Sequence, residues 1–324
     1  MPDSFDAIVG QDAVVERLRT ALARGRLPHG MVFAGPVGVG KFKTAKALAS
    51  AFLQGERVAE RVENNTHPDF HVVTRQLVRF HDKTGKSKAI NLSIDVVREE
   101  IVKPAAHHAV EGGGKVFVVE EAETMTAAAQ NGLLKTLEEP AGRAVIMLIT
   151  DQPESLLPTI RSRCQTLRFA ALSPRDAERV VAAHGVSAKD ARRAIAVAEG
   201  SPGLAMQFLA DGVVERAEAL FARLDGGGGE PLGAWMKYAA EAYAAAQLER
   251  DPLGSKDAFT RQGYGLYLTL AADHLRRKLP DEAAPDRLEE LCERIDAVAR
   301  AEKYLSANVN VALTMQQLEL SLGA

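Results

Sequence analysis

The chain has 324 residues, with 40 Lys+Arg against 43 Asp+Glu and a formal net charge of −3. Hydrophobic residues at 46% and charged residues at 26% exclude disordered and fibrous classes, and the near-neutral balance argues against a broad, sequence-independent nucleic-acid coat, which needs a basic excess. At roughly 100–200 residues per domain, the length predicts two or three domains. Aromatic residues at 5% disfavour a base-stacking single-strand platform. The only cysteines, Cys164 and Cys292, cannot build a disulfide framework or a four-thiolate zinc site, which predicts a reducing cytosolic setting. The polar opening Met1-Pro2-Asp3-Ser4 leads to no apolar core of a secretory signal, and no apolar run approaches the roughly 18 residues of a bilayer span. A soluble cytosolic chain is the expectation.

In the first half, strand-like and helix-like segments alternate. Gly30 to Ala34 is a short apolar run ending in a glycine-rich turn, and a helical stretch follows from Phe42 to Leu53. Lys115 to Val119 ends in the acidic pair Glu120-Glu121, and Ala144 to Thr150 is continuously apolar up to its last residue. Continuous rather than alternating apolar strands, separated by helical patterns, predict a parallel sheet covered on both faces, closing with Gln165 to Phe169. Ser155 to Arg161 reads as helical. Beyond Leu172 the strand signals vanish. Ser173, Pro174 and Asp176 read as an N-cap, N1 and first-turn acid, and Ala188 to Glu199 and Leu204 to Leu209 as two further short helices. From about Gly212 the chain is Ala/Leu/Glu/Arg-rich and helical, with Gly226 to Gly229 read as a loop between helices after Val213 to Leu224.

The strongest motif is Gly35-Pro36-Val37-Gly38-Val39-Gly40-Lys41, which follows a strand and opens a helix. That context is what a phosphate-binding P-loop requires: glycines let backbone N–H groups turn inward, the helix N-terminus adds its positive dipole end, and Lys41 reaches the β/γ phosphates. The alternative is a plain glycine-rich strand-to-helix turn. The next position breaks the motif, because Phe42 stands where a Ser or Thr hydroxyl holds Mg²⁺. Thr44 lies about 200° around the helix from Phe42 and does not replace it. The acidic pair departs as well, with Glu120-Glu121 where a Walker B segment ends in Asp then Glu. The extra methylene displaces a carboxylate at an ion that tolerates little displacement. Two altered supports at one ion point to lost hydrolysis; an ATPase with unusual ligands is the alternative. Thr150 ends its strand where such sheets place a polar residue facing a γ-phosphate; a plain strand end is the alternative. Arg163 is expected either to pair with a carboxylate of its own chain or to project toward another subunit's ATP. The basic stretch Arg75 to Lys88, with Arg79, Lys83, Lys86 and Lys88 around Asp82 and Gly85, reads as a solvated loop rather than a DNA-contact patch. His67, His71, His107 and His108 lack cysteine partners or an HExxH pattern, so no metal site is expected.

Ile8-Val9-Gly10-Gln11, Arg26-Leu27-Pro28-His29-Gly30 leading into the P-loop, His67-Pro68-Asp69, the run from Asn131-Gly132-Leu133-Leu134 through Lys135-Thr136-Leu137-Glu138-Glu139-Pro140, and Ser162-Arg163-Cys164 stand out. Together they resemble bacterial clamp-loader subunits of the AAA+ family. The likeness covers the first 210 residues well and continues weakly into the last helix, where Asn308-Val309-Asn310 precedes the amphipathic Val311 to Leu320. It implies an α/β P-loop AAA+ domain with a parallel sheet at 1–171, a small helical lid at 172–211 and an all-α collar for oligomerisation at 212–324.

Two kinds of member fit, the ATP-hydrolysing motor (gamma/tau) and the delta-prime kind. Gly203 lies in the lid where the motor normally supplies an arginine sensor, and this, with the altered metal supports, resembles delta-prime. Members often carry a four-cysteine zinc module after the P-loop helix; between Phe52 and His67 this sequence has no cysteine, so no zinc is expected. The likeness further implies a five-subunit ring that opens a sliding clamp and places it on primed DNA. Its partners would be gamma/tau and delta subunits, with no membrane involvement and a cytoplasmic, nucleoid-associated location. In that setting Arg163 is an arginine finger acting in trans and Glu121 a degenerate Walker B residue. Gly35, Gly38, Gly40, Lys41 and Thr150 are the nucleotide-binding positions, holding ATP or ADP weakly or as a vestige, with no metal ligands. No efficient ATPase or polymerase activity of its own is expected, although the chain would be part of a DNA-directed DNA polymerase (nucleotidyltransferase) holoenzyme. The alternative is a gamma/tau-type motor that hydrolyses its own ATP.

Overall fold

The structure, a computed structural model, describes residues 4–78, 91–140, 142–252, 254–282, 284–307 and 309–322. The expectations placed on Arg79, Asp82, Lys83, Gly85, Lys86, Lys88 and Asn308 therefore lie outside the described residues. By packing the chain divides into two compact units, Met1–Met206 and Gln207–Ala324. Among the described residues, no helix is long and apolar enough to cross a membrane.

The first unit is built on a five-stranded parallel sheet in the order β2-β3-β4-β1-β5. Its strands are β1 (Gly30–Ala34), β2 (Phe70–Val73), β3 (Lys115–Val119), β4 (Ala144–Thr150) and β5 (Gln165–Arg168). Every residue of β1, β3 and β4 is buried, as continuous apolar runs demand of strands covered on both faces. The outer strands differ. In β5 only Leu167 is buried, and β2 buries its two ends, Phe70 and Val73. This is why the sequence pattern reveals the inner strands and misses β2, four residues long with a histidine in it.

Helix α1 (Asp12–Ala23) precedes β1, α2 (Lys41–Phe52) follows it, and α3 (Val58–Glu63) leads towards β2. Between β2 and β3, α4 (Ile94–Val97) and α5 (Lys103–Ala105) are joined by a π turn over Arg98–Val102. Helix α6 (Ala127–Glu138) is capped by Thr126, whose hydroxyl accepts from Ala129 N at 3.2 Å. It buries Ala129, Leu133 and Leu137 in the same core as Phe117, Ile146 and Leu148. The helix expected over Ser155 to Arg161 is shorter, with a 3₁₀ turn at Pro153–Ser155 and then α7 (Pro158–Arg161). Pro158 has no N–H and fits only the first helical turn, so it sets the start.

The lid segment carries α8 (Pro174–Ala182), α9 (Ala188–Val197) and α10 (Pro202–Ala210). As the sequence predicts, Ser173 caps α8, accepting from Asp176 N at 3.2 Å with Pro174 at N1. Ser187 caps α9 in the same way through Asp190 N at 3.1 Å.

The second unit is all helical: α11 (Val213–Leu224), α12 (Leu232–Arg250), α13 (Lys256–Arg276), α14 (Pro285–Ser306) and α15 (Val311–Leu322). The glycines 226–229 form the turn between α11 and α12. At its centre Tyr267 is fully buried, its ring edge-on to Trp235 at 5.5 Å and its hydroxyl accepting from Arg216 Nε at 2.8 Å.

Polar side chains hold the corner between α3, β2 and β3. Arg61 forks onto Glu111 at 2.9 and 2.8 Å. His67 Nδ1 accepts from Asp69 N at 3.1 Å, and its Nε2 lies 3.1 Å from Gln54 O. Asp69, fully buried, accepts from Val110 N at 2.8 Å and Glu111 N at 2.9 Å. Two charge-assisted bonds from one buried carboxylate fix the loop ahead of β3. Asp69→Ala is expected to lower stability by roughly 2–4 kcal/mol, read as a shift in the urea midpoint. The wild-type midpoint should be insensitive to a zinc chelator.

Candidate functional site

The P-loop wraps the C-terminal end of β1. Gly35, Gly38 and Gly40 have φ of 151°, 75° and 100°, backbone states that L side chains rarely adopt. A Cβ on Gly35 would also lie 2.3 Å from Phe169 O. With α2 starting at Lys41, the loop is the glycine-rich cradle and helix N-terminus that suit phosphate oxygens. A cavity of about 550 Å³ opens over it, lined by the loop, Ile8, Thr150, Asp151, Glu120, Glu121 and Glu123, with Gly203 on the lid side. Four of the sequence-predicted binding positions, Gly38, Gly40, Lys41 and Thr150, line that cavity, and Gly35 anchors the start of the loop.

Lys41 is buried, and its ammonium donates to Pro36 O at 2.6 Å and to Gly35 O. Burial pulls its pKa down, while the negative charges of Asp151 and Glu123 pull the other way. The ammonium is thus folded onto the loop's own carbonyls, the nearest substitutes for phosphate oxygen. Thr150 lies opposite Ala34 in the register of β4 against β1, in the crevice where the strand connections diverge. Its hydroxyl accepts from Gln152 N at 3.0 Å and hydrogen-bonds the Glu123 carboxylate.

The metal side of the cavity is built differently. At the position after Lys41 the Phe42 ring carries the Lys46 ammonium 5.0 Å from its centroid and offers no oxygen. Thr44 is fully buried and donates to Gly40 O at 2.9 Å, inside its own helix. Glu120 is pushed up in pKa, first by burial and then by Glu121. Glu121 has a left-handed backbone, φ 50°, and its carboxylate meets Arg75 Nε at 2.8 Å. Arg75, the first residue of the basic stretch, therefore neutralises the residue assigned to the Walker B role.

Glu123, like Asp151, is a cavity residue that the sequence reading passes over. One carboxylate oxygen, Oε2, is buried with no hydrogen-bond partner among the described residues, and burial raises its pKa. The signal was its place two residues beyond Glu121, where the 3₁₀ turn Ala122–Thr124 returns it to the pocket.

The lid touches the P-loop directly. Ser201 Oγ donates to Val37 O at 2.6 Å, and Gly203 N donates to Gly38 O at 3.0 Å. A Cβ on Gly203 would lie 2.9 Å from both Gly38 Cα and Gly38 O, so the contact has no room for a side chain there. Gly203 thus lets the first turn of α10 seat on the loop.

Arg163 stands apart from this cavity. It precedes β5, at the sheet edge where the strands begin, and its carbonyl would lie 3.4 Å from a Cβ on Gly30, the first residue of β1. The P-loop occupies the other edge. Within its own chain Arg163 pairs with Glu138 and donates from Nη1 to Thr159 O at 3.1 Å, leaving the side chain 36% exposed. Cys164 next to it is a half-buried thiol, pushed up to about 11 by desolvation. Of the histidines, His71 is stacked on Phe117 with ring centroids 4.8 Å apart. Among the described residues no group of three or more His, Cys, Asp or Glu side chains is arranged to hold a metal.

Residues 10–173 match the family described as DNA polymerase III, delta subunit. The chain belongs to that family. This delta-family chain is 37% identical over 177 residues to the DNA polymerase III subunit delta' of Bacillus subtilis (strain 168), covering 52% of this chain and 50% of that protein. It is 29% identical over 261 residues to the subunit delta' of Haemophilus influenzae, covering 78% and 72% of the two chains. It is also 34% identical over 181 residues to the DNA polymerase III subunit gamma/tau of Mycobacterium tuberculosis, covering 54% of this chain and 30% of that one. The aligned region thus spans about half the length of the Bacillus subtilis relative.

In this family member, Gly203→Ala is expected to force the lid off the P-loop or distort the loop, at a cost of roughly 1–3 kcal/mol. Urea titration together with limited proteolysis across 172–206 measures it; an unchanged midpoint and cleavage pattern would contradict the seating contact.

Proposed function

We propose that the chain is a non-motor, delta-prime-like subunit of a DNA polymerase III clamp loader, the assembly that places a ring-shaped sliding clamp on primed DNA. In this reading it lends Arg163 in trans to the ATP of an adjacent motor subunit. The observation that carries the proposal is the division of parts between the two sheet edges. The pocket edge keeps a phosphate cradle but has Phe42, an inward-turned Thr44 and an Arg75-paired Glu121 at the metal side. The opposite edge presents a half-exposed arginine that its own pocket cannot use.

ATP or ADP bound here would rest on the amides of the 35–40 loop, on Lys41 released from Gly35 and Pro36, and on Thr150. Hydrolysis would need a Mg²⁺ ion whose hydroxyl support is missing, so nucleotide is held weakly or as a vestige. The likeness to gamma/tau relatives favours a second reading, a motor that hydrolyses its own ATP; the same metal side weighs against it. The partners are the gamma/tau and delta subunits, the sliding clamp, and primed DNA through the assembled complex. The place of action is the cytoplasm at the nucleoid. The helices from α11 onward serve assembly, which accords with the exposed apolar side chains of Tyr238, Leu313 and Leu320.

The purified chain should show negligible ATP turnover, and Phe42→Thr alone should not restore it because the acidic side remains displaced. In the reconstituted complex Arg163→Ala should remove a contribution of roughly 10³–10⁵ at the one site facing this subunit. Total turnover then falls in part while coordinated clamp loading falls severely. Arg163→Lys should rescue poorly, since lysine lacks the planar fork of donors. Robust Mg²⁺-dependent turnover by the isolated chain, abolished by Lys41→Ala, would favour the motor reading instead.

A further inference from the structure

Arg163 is held by a residue 25 positions away in sequence, at the last turn of α6. One carboxylate oxygen of Glu138 receives both Nε and Nη2 of the guanidinium. Nη1 donates to Thr159 O at 3.1 Å and lies 3.5 Å from Ser162 Oγ. All three guanidinium nitrogens are therefore engaged, Nε and Nη2 by the end of α6 and Nη1 by α7 and its C-cap. The pair itself is half exposed, at 36% for Arg163 and 47% for Glu138, so solvent screens it and it adds little to stability. Nor does either residue line the nucleotide cavity of its own chain. An exposed ion pair that contributes little to folding, yet locks a long flexible side chain in one orientation, has its main physical effect on order.

We infer that Glu138 is a positioning residue for Arg163, holding the guanidinium fork ready at the sheet edge for the phosphoryl group on an adjoining subunit. The inference rests on the trans-acting reading of Arg163 proposed above. Two effects of the carboxylate oppose each other. It removes rotamer freedom that would otherwise have to be lost when the fork meets the phosphoryl group, and it offsets part of the arginine's charge. The geometry favours ordering: Glu138 occupies Nε and one side of Nη2, while a guanidinium has five donor hydrogens to share. A neutral Gln at the same place keeps the size but cannot draw both nitrogens onto one charged oxygen, so the two effects predict opposite signs for Glu138→Gln.

The experiment uses the full chain reconstituted with its motor and delta subunits, clamp and primed DNA, comparing wild type, Glu138→Gln, Arg163→Ala, the double variant and Glu139→Gln as a neighbouring charge control. Expected is a fall in clamp-loading rate of roughly 3- to 10-fold for Glu138→Gln, with KM for ATP unchanged and the thermal midpoint of the free chain within a degree or two of wild type. Arg163→Ala should fall further, and the double variant should equal Arg163→Ala, because Glu138 acts only through that side chain. Glu139→Gln should behave as wild type. A normal or raised rate for Glu138→Gln beside an impaired Arg163→Ala would overturn the positioning role and leave the trans-acting reading standing. A further loss on adding Glu138→Gln to Arg163→Ala would also overturn it. An unimpaired Arg163→Ala would remove the trans-acting reading and this inference with it.

Discussion

Because all the strands of the first unit's sheet run in one direction, the two ends of that sheet carry different chemistry. Residues that follow strands collect at one edge: the P-loop after β1, Glu120 and Glu121 after β3, Asp151 after β4. Residues that precede strands collect at the other, among them Arg163 ahead of β5. β1 has five residues, which at roughly 3.3 Å each separates the two edges by about 16 Å. No side chain spans that distance. An arginine at one edge and a phosphate cradle at the other are therefore held apart within one chain, and in the proposed reading Arg163 meets a nucleotide phosphate only between subunits. Helix α6 crosses from one edge to the other, beginning just past the Glu120–Thr124 segment and ending at Glu138.

At the pocket edge the balance of charge is unusual for a site meant to hold a triphosphate. Lys41 is the cavity's buried cation, and it is engaged with its own loop. Around it stand Glu120 and Glu123, both raised in pKa chiefly by desolvation, and Asp151. Such a cluster is ordinarily balanced by a divalent ion. Here the aromatic ring of Phe42 stands where that ion's hydroxyl ligand belongs, and Arg75 takes up the charge of Glu121. The cradle and the lid contact remain; in the proposed reading the backbone geometry of a nucleotide-binding fold persists while the parts that would promote hydrolysis are replaced.

Much of this was legible in the chain itself. The inner strands β1, β3 and β4 show as continuous apolar runs because they are covered on both faces, and the Ser173 cap and the helix Val213–Leu224 follow from local chemistry. The departure from the P-loop pattern at Phe42 needs only the neighbouring residue types. What escaped reading depends on contacts between distant segments. β2 is too short and too mixed to stand out at a sheet edge. Glu123 reaches the pocket through a single 3₁₀ turn. Arg75 looked like the start of a solvated basic stretch until its pairing with Glu121 was visible. Gly203 reads as a missing arginine, and only packing reveals the close approach of Gly38 that excludes any side chain there. Glu138 sits inside a motif that suggests fold membership, and its grip on Arg163 is a tertiary fact.

The central claim is that the nucleotide cavity retains its phosphate cradle and lacks a working metal position. Titration of the purified chain with a fluorescent, non-hydrolysable ATP analogue, in Mg²⁺ and in excess EDTA, tests it most directly. The account predicts weak binding that Lys41→Ala abolishes and that changes little between the two conditions. Affinity that rises tenfold or more on adding Mg²⁺ would contradict it, because an ion would then be held where Phe42 and the Arg75-paired Glu121 leave no support for one.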